Sequence, residues 1–242
     1  MDPDHIAELL QPFLTAQALP APATLSSGQL QSISTYVELL LRWNVCINLT
    51  AVRDPEDIIS RHFGESLFLA AYIFPFGWRT APSAQAPPPH ALDLGSGAGF
   101  PGLPLKIYLP ELHLTLVESN RRKSAFLAEV IRTLHLDDAA VFTGHLKPSL
   151  ISQSQGGLPP GIAPPDLVTM RAVERFETAL PTAASLARAG AAKSRAGKLA
   201  LLIGESQVQF TTSSLADFSW EAPVLVPRSR TRVLLIGRYP RN

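Results

Sequence analysis

The chain has 242 residues, 46% of them apolar, enough for a full α/β domain with an appended region. Its 21 Lys and Arg against 20 Asp and Glu leave a net charge of +1, which excludes a generally basic nucleic-acid binder and confines any such role to a local patch. The single cysteine, Cys46, excludes an internal disulfide, and the six histidines lack zinc-ligand spacing, so no metal is expected. No apolar run reaches the ~18 residues of a membrane span, and Asp2, Asp4 and Glu8 stand where a secretory signal would be basic, so a cytoplasmic protein is expected.

Residues 1–78 read as a small helical region. Leu30, Ile33, Val37, Leu40 and Leu41 form a 3.6-residue apolar stripe that ends near Trp43. A further helix starts at Asp54-Pro55-Glu56-Asp57, with Asp54 suited to the cap, Pro55 to the first helical position and two acids to the positive end of the dipole. On this helix Arg61 and Glu65 stand at i,i+4 spacing, which predicts an ion pair, and His62 reads as a half-buried packing residue. Trp43, Asn44 and Asn48 read as packing and turn-capping residues. Residues 79–90, rich in proline, read as a linker; Leu19 to Ser27 and Ser152 to Pro165 are similar punctuation.

From residue 91 to 242, short apolar runs alternate with amphipathic segments, the pattern of βαβ units building a parallel sheet. Expected strands are Ala91 to Leu94, Leu112 to Glu118, Ala139 to Thr143, Leu167 to Met170, Lys198 to Ile203, Val224 to Val226 and Arg232 to Arg238. That is a mostly parallel, seven-stranded α/β sheet of Rossmann-like type, with the last strand antiparallel.

The strongest chemical signal is ALDLGSGAGFPGLP. Gly95, Gly97, Gly99 and Gly102 follow a strand and open a helix, so a ligand can lie against bare main chain at a helix N-terminus; Ser96 sits among them. Glu118 ends the next strand, where a carboxylate can accept both ribose hydroxyls of an adenosine. These features suit NAD and S-adenosylmethionine alike. The choice rests on Asp93, which would repel a pyrophosphate but suits the ammonium and sulfonium charges of S-adenosylmethionine. Arg121, Arg122 and Lys123 begin the following helix against its macrodipole, which points to phosphate contact; the plain alternative is a solvated face. A second basic stretch, Arg188, Lys193, Arg195 and Lys198, reads as solvated surface.

Two segments resemble the glucose-inhibited division protein B family of small-subunit ribosomal RNA guanine-N7 methyltransferases. RWNVCINLTAVRDPEDIISRHFGESL, Arg42 to Leu67, is similar to its WNxxxNLT followed by RHxxDS. Asp93 through GSGAGFPGLPL to VESNRRKSAFL, ending at Leu127, is similar to its glycine loop and ribose strand, with an echo at Met170-Arg171-Ala172. The resemblance implies a class I methyltransferase fold and methyl transfer from S-adenosyl-L-methionine to the N7 of a guanine in 16S ribosomal RNA; the expected partner is that RNA or the small ribosomal subunit, and the expected form a monomer. It further implies that Gly95 and Phe100 hold the donor, that Arg171 lines the donor site, that main chain at Leu146 and Lys147 holds the adenine, and that Arg61 and His62 serve the junction of the two regions first and RNA second. Departures from the family pattern are Glu65 for Asp, His145-Leu146-Lys147 for Arg-x-Glu, Met170 for Ser, Ile203-Gly204 for Lys-Gly and Thr231-Arg232 for Arg-His. They keep open a small-molecule or protein methyltransferase, or a donor-binding relative without turnover. Guanine N7 loses no proton on methylation, so no catalytic base is expected: alignment alone carries the transfer.

Overall fold

A computed structural model describes residues 1–75, 87–151, 158–173, 175–191 and 197–240. The linker expected at 79–90 therefore lies outside the described residues up to residue 86, as do Lys193 and Arg195 of the second basic stretch.

The N-terminal helices are α1 (Pro3–Leu14) and α2 (Ser27–Asn44). A capping box starts α2: the Ser26 hydroxyl accepts from the Gln29 backbone N–H while the Gln29 side chain accepts from Ser26 N. The Gln29 amide also donates to the Ile107 and Tyr108 carbonyls at 2.8 and 3.0 Å, so one residue starts α2 and fastens the end of α5 (Gly102–Tyr108). Asn44 at the end of α2 holds the next turn, accepting from Leu49 N and Thr50 N and donating to Thr50 O. Asp54 caps α3 (Pro55–Ile58), accepting from Asp57 N at 3.0 Å as expected. This helix then widens into a π-turn, Ile59–Gly64, before resuming as α4 (Glu65–Ile73).

Five parallel strands follow: β1 (His90–Leu94), β2 (His113–Glu118), β3 (Ala139–Thr143), β4 (Leu167–Arg171) and β5 (Lys198–Gly204). The sheet order is β3-β2-β1-β4-β5-β8-β6, with β8 (Arg232–Arg238) antiparallel to β5. Both β6 (Ser219–Trp220) and β7 (Val224–Leu225) pair antiparallel with β8, making eight strands among the described residues where seven are expected. The extra strand has only two residues, too short for any alternation to announce it. Val226, expected within β7, lies beyond it.

Alternate residues along the strands serve two cores. Leu92, Val168, Leu199 and Leu201 pack against α7 (Phe176–Ala191) on one face. On the other, Ala91, Ala200 and Leu202 join α5, α6 (Arg121–Thr133) and the N-terminal helices in one continuous core that includes Ile6, Leu10, Phe13, Ile33 and Leu40. Gly64 in the π-turn abuts the Phe13 ring, where an added Cβ would lie 2.5–2.7 Å from ring carbons.

Candidate active site

The order of strands reverses between β1 and β4, and at such a switch point the carboxyl ends of the strands open a crevice. The glycine-rich loop leaves β1 there. Gly95, Gly97 and Gly99 take φ of 75°, 58° and 90°, which side chains rarely adopt. Gly95 and Ser96 donate their N–H groups to Val117 O at 2.9 and 3.0 Å, tying the loop to β2, and the Ser96 hydroxyl returns to Asp93 O. A Cβ on Gly97 would meet nothing nearer than 3.9 Å, so the loop is open on that side.

Asp93 is 1% exposed. One carboxylate oxygen accepts from the Thr169 hydroxyl at 2.7 Å and the other from Gly102 N at 3.3 Å, at the start of α5. The sequence sets this acid against the charges of a donor; the fold places it beneath the loop, bracing β1, β4 and α5 together. Burial raises its pKa to about 6, despite the opposing bonds from Thr169, Ser96 and Gly102 and the charge of Arg171.

Glu118 closes β2 at the crevice. Its Oε2 accepts from Gly97 N at 2.9 Å and its Oε1 from Asn120 N at 2.7 Å, so the acid and the glycine loop are already in contact. Beyond β3, Leu146 and Lys147 form no backbone–backbone hydrogen bond among the described residues. Open loop and carboxylate stand side by side at the ends of β1 and β2, an arrangement that fits an adenosine-bearing cofactor.

The Phe100 ring stacks on Tyr36 at 5.5 Å, meets Phe63 edge-on at 5.1 Å and lies under the Arg171 guanidinium. That leaves its main chain as the part able to meet a ligand. The Tyr36 hydroxyl donates to Ala98 O, so α2 grips the loop directly.

Arg171, at the end of β4, donates Nε to Glu65 at 2.9 Å and Nη2 to Arg61 O at 2.9 Å and His62 Nδ1 at 3.0 Å. Since an arginine only donates, His62 Nδ1 accepts and its Nε2 carries the proton, donated to the Thr50 hydroxyl at 2.8 Å. Burial and the charges of Arg171, Arg61 and Arg232 lower the His62 pKa to about 3. Glu65 also pairs with Arg232 at 3.3 Å. The i,i+4 pair expected between Arg61 and Glu65 is therefore not formed. The π-turn shifts the spacing of facing side chains away from 3.6 residues, and two arginines from the sheet take both carboxylate oxygens. Arg61 keeps an exposed side chain, whereas both ring nitrogens of His62 are occupied within the fold.

Arg121 and Arg122 are exposed at the start of α6 and Lys123 is half-buried; the Asn120 side chain caps the N–H groups of Arg122 and Lys123 at 2.9 and 3.2 Å. The triplet stands at the same edge as Glu118. Tyr36, Thr169 and the bridging role of Glu65 go unread in the sequence; only Thr169, a polar residue among apolar ones in a central strand, gives a signal.

The GidB family profile, described as rRNA small subunit methyltransferase G, matches residues 29–192. Ribosomal RNA small subunit methyltransferase G of Roseiflexus castenholzii is 39% identical over 166 residues, 69% of this chain and 64% of that protein. Its counterpart in Desulfitobacterium hafniense is 38% identical over 190 residues, 78% of this chain and 70% of that protein. A third, from Roseiflexus sp., is 41% identical over 64% of this chain and 58% of its own length, so the chain spans about three fifths of the first relatives it matches. Among solved structures, ribosomal protein L11 methylase from Lactobacillus delbrueckii subsp. bulgaricus superimposes with a TM-score of 0.50 at 14% identity, covering 75% of this chain and 80% of that one, a likeness of fold. No helix among the described residues is long and apolar enough to cross a membrane.

Proposed function

The chain belongs to the GidB family, the rRNA small subunit methyltransferase G proteins, and from that premise we propose that it methylates the N7 of a guanine in 16S ribosomal RNA, with S-adenosyl-L-methionine as donor. The proposed setting is the cytoplasm and the working form a monomer. The observation that carries the reading is the contact of Glu118 with Gly97 at the switch point, inside the segment that matches the family. There Glu118 takes the ribose hydroxyls, main chain of Leu146 and Lys147 the adenine, and main chain of Gly95, Ser96, Gly97, Gly99 and Phe100 the remainder of the donor, with Arg171 at its border. Asp93 keeps the loop in shape from beneath, and His62 holds Arg171. Residues 91–242 thus carry the donor, and residues 1–78 support its loop through Tyr36 and His62.

S-adenosylmethionine supplies an electrophilic methyl carbon. Guanine N7 offers an in-plane lone pair and gives up no proton, so the protein has no base to provide; its work is to hold the lone pair in line and close. Arg121, Arg122 and Lys123 take RNA phosphates, with Arg61 in support. The test is transfer of labelled methyl to unmodified small subunits, mapped by N7-sensitive strand cleavage. Label at a single guanine of 16S RNA is expected; label in protein or in small molecules, or binding of NADH in place of S-adenosylhomocysteine, overturns the reading.

A further inference from the structure

The β7–β8 turn carries three arginines at alternate positions, Arg228, Arg230 and Arg232. Arg232 is tied down by Glu65, but Arg228 and Arg230 are exposed and neither forms an ion pair among the described residues. The turn that presents them is firmly braced. Val226 N donates to Arg232 O at 3.0 Å and Ser229 N to Val226 O at 3.1 Å, while the Ser229 hydroxyl accepts from Thr231 N and Arg232 N. Glu205 N donates to Thr231 O at 2.7 Å and fastens the turn to the end of β5. Arg228 itself holds a φ of 60°, a setting that glycine or asparagine occupies more readily.

Its position follows from register. Gly204, the last residue of β5, pairs with Arg232, the first of β8, so the turn lies beyond the carboxyl ends of the parallel strands, at the edge that carries the glycine loop. Glu65 joins it to that site: one carboxylate oxygen holds Arg232 and the other Arg171. The basic triplet occupies the same edge on the far side of the switch point, after β2. From β2 to β8 the sheet order gives four inter-strand steps, about 19 Å at about 4.8 Å each. Beside the turn, Gly204, Glu205, Ser206 and Thr231 line an open groove.

We propose that Arg228 and Arg230 form a second phosphate-binding arm, so that a single-stranded RNA segment crosses the crevice held on both sides and exposes one base between them to the donor. This rests on the RNA-methyltransferase reading above. A base inside a helix cannot reach an enclosed methyl group, and a strand gripped on both sides of its target leaves that base free to leave the stack. Two phosphate contacts contribute a slope of about 1.4 to the logarithmic salt dependence of single-strand binding.

The test compares R228Q/R230Q with R132Q/R238Q, which removes the same charge at the opposite edge of the sheet, from residues paired with Glu129 and Glu221. The probe is an unmodified 16S RNA transcript titrated from 50 to 200 mM salt. R228Q/R230Q should keep the melting temperature and S-adenosylhomocysteine affinity of the parent, bind the transcript more weakly and flatten the slope, so that the ratio of parent to variant affinity shrinks about sevenfold over that range. R132Q/R238Q should retain the parent slope. An unchanged slope in R228Q/R230Q, or an equal loss in both variants, overturns the arm while leaving the methyltransferase reading in place. A parent chain that binds no transcript but transfers methyl elsewhere overturns both.

Discussion

Replacing His62 by Gln should change the slope of stability against pH. In the fold, burial and the adjacent guanidiniums lower its pKa to about 3, whereas the unfolded chain titrates near the ordinary 6.5. Between those values the unfolded chain holds a proton that the folded one does not. The contribution of His62 is therefore full above pH 6.5 and declines by about 1.4 kcal/mol per pH unit as pH falls towards 3. Asp93 runs the other way. Burial raises its pKa from 3.8 to about 6, so from pH 3.8 upward the folded state keeps a proton that the unfolded state has lost, and stability declines as pH rises through 6. Over pH 4 to 6 the two slopes oppose each other, and the parent chain gains or loses little from the pair. Without His62 the Asp93 slope stands alone, so the deficit of His62→Gln against the parent should grow by roughly 3 kcal/mol from pH 4 to pH 6. Asp93→Asn should show the reverse, gaining on the parent by a similar amount. Urea unfolding followed by circular dichroism at pH 4, 5 and 6 reads both differences. A deficit constant across the three pH values would refute the linkage.

Glu118→Ala should weaken S-adenosylhomocysteine binding by about 2 kcal/mol in calorimetry, because it removes charged hydrogen bonds to the ribose; a loss of only a few tenths would make the acid a loop brace alone. Gly64→Ala drives a methyl group into the Phe13 ring and should cost about 1–3 kcal/mol of stability in chemical unfolding, whereas parent-like stability would show that α1 packs differently. Changing Arg121, Arg122 and Lys123 together to Gln should leave donor affinity intact, raise stability slightly if at all, and flatten the salt slope of RNA binding by about 2–3; normal methylation of subunits with an unaltered slope would remove the triplet from the RNA surface.

The parallel strands were legible because each is a short apolar run bounded by turn residues, and β3 and β8 have the limits their alternation predicts. The glycine loop was legible for a related reason: its chemistry is local, with left-handed backbone at Gly95, Gly97 and Gly99. What spacing could not convey is which distant group a charge will meet. Glu65 lies four residues from Arg61, yet it is joined to Arg171, 106 residues away, because the π-turn rotates it towards the sheet. Asp93 reads as a ligand-facing acid until the Thr169 hydroxyl, 76 residues on, claims one of its oxygens. Arg228 and Arg230 belong to no motif in the sequence, and only the pairing of Gly204 with Arg232 sets them at the edge that carries the glycine loop.

The position of α1 and α2 within the shared core has a consequence for how the chain is made. Both helices precede every strand, yet α2 completes its packing only on α5 and α6, where Tyr36 and Trp43 meet the Phe126 ring. A ribosome adding about 5–20 residues per second needs about 4–17 s to travel from Leu40 to Phe126, 86 residues later. For that interval α2 lacks its later partners on α5 and α6, while α1 already has α2, the π-turn and α4 to pack against. The face of α2 turned towards α5 and α6 is therefore the part of the N-terminal helices that stays open longest during synthesis.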